Sequence, residues 1–164
     1  MRNLPDPGFA GDDGAVTPEV ADALAAYDLD PDGRHAETLA VLQTARVLVP
    51  VVAVLGEVEV DEAGLTHDKT SDMATVLLTG QDGRSALLAF TGREPMGRWD
   101  PGARPVPVRL ADAARAAVHD GADALVLDVA GPVVLAIEGD DLRALADGFT
   151  LADVAGRHAW VRTE

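Results

Sequence analysis

Residues 73–91 read MATVLLTGQDGRSALLAFT. Two apolar runs flank Gln81-Asp82-Gly83-Arg84. Asp-Gly is a favoured pair for a type I′ turn, whose two central residues both take positive φ. The stretch therefore predicts a β-hairpin. Each run is nearly continuously apolar, so the pair is expected at the centre of a sheet, covered on both faces.

Upstream, Arg46–Leu55 (RVLVPVVAVL) is a β-rich run with Pro50 inside it. Proline offers no N–H to a ladder, so this strand lies at an edge or is interrupted there. Gly56 allows a tight turn into Glu57–Asp61, which alternates polar and apolar as a half-exposed strand does; residues 62–72 read as a polar loop. Before these come two helices. Thr17-Pro18-Glu19 starts one over about 18–27, with a Thr N-cap, Pro in the first turn and an acid near the positive dipole end. The chain breaks at Asp28–Gly33, and a second helix covers about 34–45. Residues 1–16 read as a flexible lead.

Downstream, Gly92–Trp99 is short and helical or irregular, and Arg104–Val108 is held extended by its prolines. Leu110, Ala113, Ala114, Ala117 and Val118 repeat at helical spacing, predicting a helix over about 110–120. A second hairpin spans about 124–138 around Ala130-Gly131-Pro132, followed by a helix over about 140–147. Thr150 opens a last short helical turn, and residues 157–164 read as a tail. The order predicts a single α+β domain over 17–148 with a mixed, mostly antiparallel sheet. Residues 1–16 precede it as the lead, and 149–164 follow as the helical turn and tail.

The 164 residues carry 28 acidic and 13 basic side chains, a net charge of −15. That balance works against nucleic acid and anionic lipid. No apolar run approaches the ~18–20 residues of a membrane span, and no secretory h-region stands at the amino end, so a cytoplasmic protein is expected. Cysteine is absent, which removes disulfides, thiolate metal sites and a Cys nucleophile. Aromatics are 4% of the chain, so the core rests on Val, Leu and Ala.

Motifs for chemistry are sparse. Asp28-Leu-Asp30-Pro-Asp32-Gly33 matches the opening of an EF-hand loop, which makes Asp28, Asp30 and Asp32 weak calcium candidates. Leu39 stands where a closing Glu belongs, and an interhelical turn capped by Asp32 is the favoured reading. His35, His67, His119 and His158 show no metal-ligand spacing. Ser71 and Ser85 lie in no GxSxG elbow, and neither a GxGxxG nor a Walker loop occurs. No cofactor and no catalytic residue is nominated.

Charge is unevenly distributed. Residues 84–115 hold six Arg against three acids, while the rest of the chain is net −18. Arg84, Arg93, Arg98, Trp99, Arg104 and Arg109 are therefore candidates for a partner surface, since Arg and Trp anchor interfaces. Surface pairing of these Arg with neighbouring acids is the plainer alternative. A second candidate is an anionic ligand held near Thr91, Arg93 and Arg104, where Gly92 after a central strand lets a ligand approach the backbone.

Three stretches carry a family resemblance: VLVPVVAVLGE (47–57), MATVLLTGQDGRSALLAFTG (73–92) and ARPVPVRLADAARAAVHDGADALVLDVAGPVVLAIEGDDLRALADG (103–148). Together, over roughly 17–148, the chain resembles the N-terminal domain of the SseB family in its actinobacterial form. Leu88, Gly92 and Val129 depart from the pattern, where Pro, Ser and Pro are expected. The resemblance implies the fold and supplies no catalytic residues. The expected function is thus a non-catalytic interaction or regulatory module with a protein partner or a second copy. The alternatives are a small-molecule binder or enzyme with a site near Thr91, and a calcium-binding helix–loop–helix over 28–39.

Overall fold

A computed structural model of the chain describes residues 9, 11–54, 59–60, 66–67 and 72–162, by backbone alone over 52–74. Two helices open it, α1 (Pro18–Leu29) and α2 (Pro31–Leu42). Thr17 caps α1 by accepting from the Val20 N–H, and Pro18 holds the first helical position. The joint between the helices is the single residue Asp30. Its backbone ends α1, and its side chain accepts from Gly33 N–H to cap α2. The cap is therefore Asp30 and not Asp32. Pro31 tolerates the first helical position, so α2 starts three residues before the expected boundary.

The strands follow as β1 (Arg46–Val54), β2 (Glu59–Val60), β3 (Thr66–His67), β4 (Asp72–Thr75), β5 (Leu77–Thr79) and β6 (Ser85–Ala89). Helix α3 (Arg93–Trp99), β7 (Arg104–Arg109), α4 (Leu110–His119), β8 (Ala124–Leu127), β9 (Leu135–Glu138) and α5 (Gly139–Ala146) come next. The chain closes on β10 (Thr150–Val154) and β11 (Arg157–Val161). The α+β class and the mostly antiparallel pairing stand. One sheet runs β4-β1-β7 and another β5-β6-β8-β9; within the latter only β6 and β8 are parallel.

The 73–91 stretch forms a hairpin, with two corrections. The loop is not type I′: Gly80 N–H donates to Arg84, Gly83 N–H donates to Gly80, and of the two central residues only Gly83 has positive φ. This is a three-residue loop with its left-handed position on glycine. The first arm also does not run through the centre of the sheet. Residues 72–75 pair with β1, and the chain then shifts so that 77–79 pair with β6 as an edge strand. Leu77 and Leu78 are consequently about 40% exposed.

Pro50 marks the seam. Leu48 exchanges both backbone bonds with Phe90, so on that edge β1 meets the end of β6. Two residues on from Pro50, the same edge meets β4, with Val52 opposite Ala74. Val76, which would oppose Pro50, instead gives its carbonyl to Leu88 N–H. The interruption expected at proline is a change of partner within a central strand. On the other edge β1 pairs with β7, placing Leu48 opposite Pro107 and Pro50 opposite Pro105. Since Leu48 points its polar groups at Phe90, the nitrogens of Pro105 and Pro107 face away from β1. The turn at Gly56 falls outside the described residues. The polar loop over 62–72 contains β3, which pairs with β2.

The main core lies between these sheets and the helices: Leu39 and Leu42 from α2, Leu110, Ala113, Ala114 and Ala117 from α4, Leu142 and Leu145 from α5, and the inward residues of β6, β8 and β9. Val118, expected on the buried face of α4, is 46% exposed. A smaller cluster gathers Leu48, Leu88, Phe90, Met96 and Ala103, with Trp99 against Phe90 at 5.6 Å between rings.

Where a helical turn and tail are expected over 149–164, residues 150–161 instead form an antiparallel hairpin, β10–β11, turning at Ala155-Gly156 with both φ positive. Its seat explains why these residues form strands. The Gln43 side-chain amide donates to the Leu151 carbonyl and accepts from Leu151 N–H, acting as a one-residue strand partner beyond the end of α2. Asp141 of α5 accepts from Trp160 Nε1 and lies 3.1 Å from His35 Nε2, tying β11 to α2.

A pocket at the carboxyl ends of β6 and β8

Strands β6 and β8 run side by side in the same direction, so their carboxyl ends open on one side of the sheet. Thr91 follows β6 and Asp128 follows β8. Both are buried, at 3% and 1% exposure. Asp128 Oδ1 accepts from Thr91 N–H at 2.8 Å, and Oδ2 accepts from the Thr91 hydroxyl at 2.7 Å. Asp128 N–H donates to the Ala89 carbonyl, and its own carbonyl accepts from Gly131 N–H. Its φ is 54°, a left-handed conformation that Asp and Asn adopt more readily than other side-chain-bearing residues. Burial pushes the Asp128 carboxyl above the usual carboxylate range, against the two Thr91 hydrogen bonds, which lower it.

Above this pair is a pocket of about 260 Å³. Thr91 and Asp128 form its polar end. Ala21, Leu24 and Ala25 of α1 make one wall, and Pro95 with the Glu94–Arg98 pair of α3 makes another. Val16, Pro132 and Val133 complete a lining that is mostly apolar.

Val16 reaches the pocket because the N-terminal lead is tied down. Arg46, with its side chain only 9% exposed, grips Asp12 through Nε at 2.6 Å and Nη2 at 3.0 Å. It also donates to the carbonyls of Ala15 and Thr91. Arg93 N–H donates to Gly14. The Arg46 guanidinium holds the Asp12 carboxyl below its ordinary range. Over residues 12–16 the lead is therefore a strap across the end of β6; residues 1–8 and 10 lie outside the described residues. Gly92 is explained by that strap and not by a ligand. A Cβ there would stand 2.6 Å from Val16 Cγ2 and 3.1 Å from the Gly14 carbonyl.

The other sequence candidates scatter. Arg84 lies at the amino end of β6, roughly 20 Å from Thr91 at ~3.3 Å per residue, and pairs with Glu138 at 2.7 Å. Arg93 and Arg98 sit on α3, but only Arg98 lines the pocket. Arg104 and Arg109 stand at opposite ends of β7. Trp99 is half-buried on Phe90 and not displayed. The six cationic and aromatic residues are thus spread over the start of β6, α3 and β7. Asp28, Asp30 and Asp32 do not form a calcium loop either, because the twelve residues an EF-hand needs as loop are helix from Pro31 onward. Among the described residues no cluster of three or more His, Asp or Glu is placed to hold a metal.

Asp128, Arg46 and Asp12 were not singled out by the sequence. A faint signal for Asp128 exists in Ala124–Asp128 (ALVLD): an acid closing a buried strand, with Gly131-Pro132 just beyond.

Fold and site together define a small mixed α+β domain with a pocket at the carboxyl ends of a parallel strand pair. Residues 20–144 match the SseB protein N-terminal domain, and the chain belongs to that family. Neither the curated proteins nor the solved structures gave a match. Among the described residues no helix is long and apolar enough to cross a membrane.

Proposed function

We propose that this SseB domain is a binding module that holds a small, largely apolar molecule in the pocket beside Thr91 and Asp128 without transforming it. The supporting observation is the pocket itself: apolar walls closing on one buried polar pair, the usual composition of a small-molecule site. Its volume lies just under the ~300–1,000 Å³ typical of drug-sized ligands, which favours a smaller occupant. The position agrees with the general tendency of ligands to sit outside the carboxyl ends of parallel strands. Catalysis has little support. Thr91 has a hydroxyl beside a carboxylate, but among the described residues no imidazole, amine or thiol lines the pocket to make a nucleophile and strong base. The anionic ligand expected near Thr91, Arg93 and Arg104 fits poorly with Asp128 at the polar end and Arg98 engaged by Glu94. A protein partner or second copy gathered by the Arg and Trp residues has no comparable support.

The test is a fragment screen by NMR on the whole chain and on Ala25→Trp, which fills the pocket from the α1 wall. Hits should shift the Val16, Thr91 and Val133 signals and be lost in the filled variant. A ligand at 100 times its Kd should also stabilise the fold by ~2.7 kcal/mol. A flat screen, or hits indifferent to Ala25→Trp, overturns the proposal.

A further inference from the structure

The pocket reading leaves the chemistry of the occupant open, and Asp128 narrows it. Each carboxylate oxygen accepts one bond, both from neutral groups of Thr91. An ionised carboxylate has about four acceptor positions, so two are unused by these bonds. The charged groups that share the pocket are Glu94 and Arg98 on α3, which pair with each other at 3.4 Å. Wall α1 contributes Ala21, Leu24 and Ala25, the strap contributes Val16, and the β8–β9 loop contributes Pro132 and Val133, all without charge. Asp128 is thus a buried acid at the polar end of an apolar pocket, with no cation among the described residues bonded to it. A buried charge of this kind is stabilised chiefly by a partner of opposite sign.

Resting on the pocket reading, we infer that the ligand is a small primary amine, its ammonium group bonded to Asp128 and its apolar body against Leu24, Pro95 and Val133. The ammonium supplies the missing counter-charge and up to three donors, and the aliphatic walls receive the rest. A neutral molecule of the same shape gains the wall contacts only. A carboxylic acid places like charge against Asp128.

The sign of the pH dependence follows. Burial disfavours the ionised carboxyl, whereas the ammonium needs it ionised. Alkylamines stay protonated far above the carboxylate range, so affinity should rise with pH as Asp128 loses its proton and then level off. Glu94 is the other carboxylate in reach, and Glu94→Gln separates its contribution.

The experiment measures NMR affinities for three matched probes, benzylamine, benzyl alcohol and benzoate, and for the shorter butylamine. Wild type and Asp128→Asn are compared from about pH 4, near the ordinary Asp value of ~3.9, to about pH 8, well above it. Asn is suited to the left-handed position and still accepts from Thr91 N–H, so the variant retains the local geometry. The inference expects an amine to bind at least tenfold more tightly than benzyl alcohol, with that margin lost in Asp128→Asn and retained in Glu94→Gln. If Asp128→Asn fails to fold, the wild-type pH profile decides: affinity for the amine must rise with pH, while that for benzyl alcohol stays level. Equal binding of amine and alcohol, or preference for benzoate, overturns the amine inference and leaves the pocket reading standing. If none of the probes binds and the wider fragment screen is also flat, both fall.

Discussion

The two ends of the β6–β8 pair use the same device in opposite surroundings. At the amino end, Asp123 donates its N–H to the Ser85 carbonyl and accepts from Ser85 N–H through its carboxylate at 2.9 Å. At the carboxyl end, Asp128 donates to Ala89 and accepts from Thr91 N–H at 2.8 Å. The bonds are nearly alike in length, yet Asp123 is exposed and Asp128 is 1% exposed. Water can replace whatever Asp123 loses; nothing replaces what Asp128 loses unless a ligand or a rearrangement does. The same carboxylate–amide bond is therefore a surface detail at one end, while at the other, where the Thr91 hydroxyl adds a second bond, it belongs to the proposed recognition site; burial makes the difference.

That contrast breaks most visibly by truncation. Asp128→Ala leaves the buried Thr91 N–H and hydroxyl without their acceptor, at about 1–3 kcal/mol for each such group, and puts alanine into a left-handed backbone. Asp123→Ala should fall within about 0.5 kcal/mol, as surface changes do. Urea denaturation of both variants measures the gap, and equal losses would dissolve the distinction between the two ends.

A smaller effect appears in the pH dependence of stability. The folded carboxyl of Asp128 is raised, so its contribution is fully present in acid and is lost as pH rises through the folded value. The stability of wild type relative to Asp128→Asn should therefore decline as pH rises from the ordinary Asp value of ~3.9 through the raised folded value. Asp12, lowered by Arg46, behaves oppositely: its contribution is present above the ordinary Asp value of ~3.9 and is lost as pH falls through the lowered folded value. Asp12→Asn should show its deficit at neutral pH and lose it in acid. The smallest change is expected from Arg84→Ala near the Asp123 end, where both members of the Arg84–Glu138 pair are more than half exposed. Solvent screens that pair, so the urea midpoint of Arg84→Ala should barely differ from that of wild type.

Local chemistry was legible in the sequence; partner choice was not. Thr17 and Pro18 start α1 through the side-chain cap and the fixed proline φ, and Asp82-Gly83 turns the chain through a glycine at positive φ. Which turn forms is less local. The Asp-Gly pair closes a three-residue loop, while Ala155-Gly156, with no obvious turn signature, takes positive φ at both residues. Whether β5 lies at an edge or in the centre depends on residues 72–75 leaving with β1, a tertiary event that apolar content does not report. The β10–β11 hairpin was hidden because its seat, Gln43, is 108 residues away. Thr91 was reached through Gly92 for a reason the fold replaces: the glycine admits Val16 and Gly14, not a ligand. Asp128, 37 residues from Thr91, could be joined to it only by the strand pairing itself.

The prolines opposite Leu48 and Pro50 have a consequence beyond the strand they belong to. With the nitrogens of Pro105 and Pro107 turned outward, the open side of β7 shows carbonyls where a neighbouring chain would also look for amides. A strand laid alongside would find half of its ladder missing, so growth of the sheet from molecule to molecule stops at this edge. An alanine- and valine-rich chain is thus guarded against edge-to-edge pairing at β7 by two residues that contribute no charge.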